Sequence, residues 1–107
     1  MNSEKKNNTP SYTLAFSEEE LQMIEDMGAT GFFPEEVAEV LQVPVEQFVD
    51  IIKKKSGPAY QRYRKGGLLG QMKLRQRIAT DAGHGSSPAQ TLLKKIYDDQ
   101  EYKLQQL

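Results

Sequence analysis

An all-α fold is predicted, in which a helix-turn-helix unit of three short helices precedes a long antiparallel helical hairpin. Three observations carry that expectation. Capping signals mark helix starts along the chain, apolar residues recur three and four positions apart, and the β-branched runs that support strands are few. With 107 residues, the chain is long enough for one domain, or for one small domain with a helical appendage.

The elements follow in order. Residues 1–15 are expected as a disordered lead-in, because Met1 to Pro10 is polar and lacks the apolar run of a signal peptide. Ser17 followed by Glu18, Glu19 and Glu20 is a capping box, with Phe16 and Leu21 placed as a hydrophobic staple. Leu21, Ile24 and Met27 form the stripe of the first helix, and Gly28 is its expected stop. Pro34 suits the first position of a second helix with Val37, Ala38 and Leu41 buried. Gln42-Val43-Pro44 makes a tight turn, since a residue before proline resists the α region, and Pro44 opens a third helix with Val45, Phe48, Val49 and Ile52 inward. These helices close a helix-turn-helix domain over residues 16–56, with Ala38 at the crossing.

Residues 57–107 are expected as the hairpin. A helix from Pro58 to about Ala82 carries Tyr60, Tyr63, Leu74 and Ile78 on one broad face. Gly66, Gly67 and Gly70 each cost about 1 kcal/mol against alanine inside a helix. They imply a kink or a neighbouring helix packed very close, and one continuous helix is preferred. After a turn over Asp81 to Ser86, Ser87-Pro88-Ala89-Gln90 is a second capping signature, with proline at the first helical position. The last helix carries Leu92, Leu93, Ile96 and Tyr97.

The net charge of −1 conceals a sharp polarity. From Ser17 to Asp50 there are ten acids and no Lys or Arg; from Ile51 to Thr80 there are nine bases and no acid. Asymmetry of this kind bears on partners rather than on fold. The attraction for phosphate is expected from Lys53, Lys54 and Lys55 with Arg62, Arg64, Lys65, Lys73, Arg75 and Arg77, and Gln47 could bond an adenine edge. Acids at Glu35, Glu36, Glu39, Glu46 and Asp50 lie beside that unit and repel phosphate. A run of three lysines is also what a solvated helix end carries. Tyr60 and Tyr63 could stack on bases, although their spacing suits core packing better.

Other chemistries find little support. Cysteine is absent, so disulfides and thiolate metal sites are excluded. His84 stands alone in a glycine-flanked turn, no nucleophile–base or paired-carboxylate arrangement is evident, and Gly66-Gly67-Leu68-Leu69-Gly70 lacks phosphate-loop spacing. No enzymatic activity, cofactor or metal is expected. No apolar run reaches the ~18 residues that span a membrane.

The order of a helix-turn-helix over Pro34 to Lys55, Tyr60-Gln61-Arg62-Tyr63-Arg64-Lys65-Gly66, Leu74-Arg75-Gln76-Arg77-Ile78 and Gly85-Ser86-Ser87-Pro88-Ala89-Gln90-Thr91-Leu92 resembles the small terminase subunits of tailed bacteriophages and related prophage DNA-binding proteins. That resemblance covers roughly residues 30 to 98. It implies a non-catalytic protein of a bacterial host cytoplasm that recognises double-stranded DNA for packaging, assembles with copies of itself into a ring or dimer, and works with a large terminase ATPase subunit. Carried over, the helix from Pro44 to Lys55 faces DNA, and Tyr60, Tyr63, Leu74, Ile78, Leu92, Leu93, Ile96 and Tyr97 form the assembly surface. The acidic flank of the helix-turn-helix departs from that pattern. The competing expectations are a small protein-interaction module and a dimeric transcriptional regulator.

Overall fold

The computed structural model describes residues 14–107, so the expected lead-in lies, up to residue 13, outside the described residues. Among the described residues there are five α-helices and no strand: α1 (Glu18–Ala29), α2 (Pro34–Leu41), α3 (Val45–Lys54), α4 (Gly57–Gly83) and α5 (Ser87–Gln105). They form two compact units, the first ending at Gly67 and the second spanning Leu68–Leu107, and α4 is continuous through the division.

In unit 1, the chemistry at each helix start is local. Ser17 Oγ accepts from the Glu20 N–H at 3.1 Å, and Glu20 Oε1 accepts from the Ser17 N–H at 2.9 Å, which completes the box. Phe33 caps α2 through its backbone, its N–H donating to Glu36 Oε1 at 2.8 Å, with Pro34 at the first helical position. The α2–α3 connection is Gln42-Val43-Pro44. Gln42 adopts the left-handed conformation (φ 58°) that glycine usually supplies, and the Val43 N–H donates to the Ala38 carbonyl at 3.1 Å. Pro44 stands as the cap of α3 rather than its first residue.

Ile24, Met27, Val37, Ala38, Phe48 and Ala59 form the core of unit 1, with Phe16, Leu21, Leu41, Val43 and Tyr63 packed against it. Phe16 meets the fully buried Phe48 edge-on, ring centroids 6.0 Å apart. Ala59 and Tyr63 come from the first turns of α4. The first compact unit thus runs past the turn at Ser56-Gly57-Pro58 to Gly67.

Gly28 does not stop α1, which continues to Ala29 with Thr30 as its cap. Its place is a crossing. A Cβ on Gly28 would stand 2.5 Å from the Tyr63 carbonyl oxygen, and one on Gly66 would overlap the Glu25 carbonyl. Gly66 therefore allows α1 and α4 to approach backbone to backbone, and α4 passes through Gly66-Gly67 without a break.

Unit 2 contains the end of α4, a three-residue connection and α5. Gly85 (φ 95°) turns the chain, and Ser86, not Ser87, is the cap: its hydroxyl accepts from the Ala89 N–H at 3.3 Å, which puts Pro88 at the second helical position. Gln90 does not close a capping box; its Nε2 donates to the Ala82 carbonyl at 3.1 Å, satisfying an end group of α4. In this unit only Ala82 and Ala89 are buried apolar residues.

Candidate nucleic-acid interface

Lys53, Lys54 and Lys55 stand at the C-terminal end of α3, all exposed, where cations complement the helix dipole. Lys54 Nζ lies 2.9 Å from Asp50 one turn earlier, an exposed pair of small energetic weight. Lys53 and Lys55 form no ion pair among the described residues. Gln47, expected at a base edge, is half-buried: its Oε1 is shut from solvent and has no hydrogen-bond partner among the described residues. That atom faces inward and is not presented to a groove.

Arg62 departs most from expectation. Its Nε donates to Glu25 Oε1 at 2.8 Å, its Nη1 to Glu18 Oε2 at 2.8 Å and its Nη2 to Gln22 Oε1 at 3.0 Å. The Arg62 side chain is 20% exposed and that of Glu25 13%. The hydrogen bond from Arg62 holds the Glu25 carboxyl below its ordinary value, aided by the charge of Lys65, whose Nζ is 3.8 Å away. In return, the hydrogen bonds to Glu18 and Glu25 bind the guanidinium proton more tightly. All three guanidinium nitrogens are engaged, so Arg62 clamps α4 to α1 and is not offered to phosphate. Glu18, Gln22 and Glu25 are four and three residues apart on one face of α1, and that spacing was the available signal.

The remaining bases do not all share one surface within either unit. At about 100° per residue, Arg64 points away from Arg62 on α4, and Arg75 points away from Lys73 and Arg77. Lys73 and Arg77, one turn apart, share a face. All four are exposed; Arg75 Nη2 donates to Gln71 at 3.4 Å, and Arg77 Nε lies 3.3 Å from Asp81. The single basic surface suggested by a run of nine bases resolves into a lysine cluster on α3, a clamp to α1, and separate faces of α4.

The residues expected to drive assembly also divide. Tyr60 and Tyr63 are half-buried in unit 1, and Tyr63 Oη donates to the Phe32 carbonyl at 2.6 Å, tying α4 to the α1–α2 connection. Burial raises the Tyr63 pKa, with the charges of Glu35 and Glu36 acting in the same direction. Tyr63 thus serves the fold of unit 1. In unit 2 the picture is the reverse: Leu92 is 50% exposed, Tyr97 56% and Leu74 58%, while Leu93, Ile96 and Ile78 are half-buried. Leu92, Leu93, Ile96, Tyr97 and Leu104 recur at the spacing of one helical stripe on α5. Lys94–Asp98 and Lys95–Asp99 pair along the rest of its surface. Leu68, Met72 and Leu104, Val40 on α2 and Phe33 at its cap, none of them assigned to assembly from the sequence, are also substantially exposed. The seven-residue interval between Phe33 and Val40 marks them as one face.

No group of three or more His, Asp or Glu placed to hold a metal occurs among the described residues, and no described helix is long and apolar enough to cross a membrane. Comparison with known proteins yields no matching family model, curated protein or solved structure.

Proposed function

We propose that this chain is a non-enzymatic, self-assembling DNA-binding protein of the kind the terminase small subunits represent. In this reading α2 and α3 are a helix-turn-helix unit, and the end of α4 folds against α5 as an assembly hairpin. The observation that carries it is the state of unit 2. Forty residues without cysteine bury only two alanines, whereas chains near that length usually need a disulfide, a metal or a partner subunit to be stable. Covering one leucine contributes about 1.5–3 kcal/mol, and the α5 stripe offers several such side chains.

Assembly also answers the weakness of the charge pattern. One copy presents three clustered lysines, too few phosphate contacts for firm binding, and the acids of α2 repel. Several copies present several lysine clusters to one duplex, and the later contacts become intramolecular. Gel retardation of duplex DNA tests the reading. Retardation should fall steeply between low and moderate salt, and replacing Lys53, Lys54 and Lys55 by alanine should weaken it on every sequence while flattening the salt dependence. No retardation at low salt would overturn the DNA reading. It would favour the second one, a protein-interaction module, for which the exposed acids of α2 speak.

A further inference from the structure

We infer that the outer face of α2 docks on α4 of a second copy, with Glu35 and Glu39 meeting Lys73 and Arg77. This rests on the self-assembly proposed above and supplies a contact distinct from the α5 stripe. Phe33, the cap of α2, is 67% exposed and Val40 48%. Glu35 and Glu39, one turn apart on α2, are exposed and in no ion pair among the described residues; Glu36 is held by the α2 cap.

The complement occurs in the same sequence. On α4, Lys73 and Arg77 are exposed one turn apart, with Leu74 and Ile78 adjoining them on the helix surface. Lys73 forms no ion pair among the described residues. Arg77 is paired only with Asp81 at 3.3 Å, an exposed i,i+4 contact that exchanges at little cost. Both charged pairs have the four-residue pitch of one helical turn, about 6 Å along the axis, so they match in spacing as well as in sign. A second copy is thus the occupant whose chemistry this surface fits, and it gives the acids of unit 1 a partner that DNA cannot be. Because the two surfaces differ, the contact is head-to-tail, and successive copies close into a ring or extend as a filament.

Charge exchange tests this. One variant carries Glu35→Lys and Glu39→Lys, a second Lys73→Glu and Arg77→Glu, and a third all four changes; masses are followed by light scattering over a concentration series. Each double variant alone should need about tenfold or more higher concentration to reach the wild-type mass, since attraction becomes repulsion at two exposed pairs. An equimolar mixture of the two doubles, and the fourfold variant by itself, should regain wild-type assembly, which misfolded chains could not do. Wild-type mass in both double variants, or no recovery on mixing, would overturn this contact while leaving assembly through α5 intact. A monomeric wild type would overturn both.

Discussion

Gly66 and Gly83 lie on the same helix and should respond oppositely to the same methyl group. At Gly66 an added Cβ overlaps the Glu25 carbonyl, and backbone cannot rotate away as a side chain can. Gly66→Ala should therefore destabilise the protein by about 1–3 kcal/mol or more as α1 and α4 are forced apart. At Gly83 nothing lies within 4 Å of the added atom, so Gly83→Ala should raise stability by about 0.5–1 kcal/mol through helix propensity. Thermal melts of the two variants read both signs. Arg62 offers a second test at this scale. Its hydrogen bond lowers the Glu25 pKa in the folded state, so the stabilisation is present above the ordinary value of 4.5 and is lost as pH falls through the lowered one. Replacing Arg62 by methionine should lower the urea midpoint clearly at pH 7 and much less at pH 3. An equal loss at both pH values would show that Arg62 acts by packing alone.

At the scale of elements, starts were more legible than partners. Ser17 with Glu20, and Pro34 after Phe33, are chemistries that act within four residues, so their sequence signature is complete. The stop assigned to Gly28 failed because that glycine is required by the carbonyl of Tyr63, far away in the chain, and no local pattern records a contact of that kind. The cap of α5 moved from Ser87 to Ser86 because two adjacent serines offer the same hydroxyl, and the turn at Gly85 selects between them. The α2–α3 turn was placed correctly, but its means was not foreseen: Gln42 bears a left-handed backbone costing roughly 1 kcal/mol that glycine would avoid. Gln42→Gly should accordingly raise the melting temperature by several degrees, and a lowered one would mean that the glutamine side chain contributes more than the backbone strain removes.

At the scale of the whole molecule, counting charges located the polarity but not its use. Nine bases with no acid between them suggested one surface; helical geometry turned Arg62 inward to α1 and set Arg75 opposite Lys73 and Arg77. What the sequence could not tell was which apolar residues remain uncovered, because Leu92 and Tyr97 have the spacing of core residues whether a neighbour covers them or not. Both are about half exposed, so exchanging them for glutamine should leave the folded chain intact. The account turns on what covers that stripe, and solution mass measured by light scattering reads it directly. The wild-type chain should give a multiple of 12.1 kDa, falling towards the single-chain value when Leu92 and Tyr97 are both replaced by glutamine. A wild-type mass of 12.1 kDa at every concentration, or an assembly indifferent to those two substitutions, would contradict it.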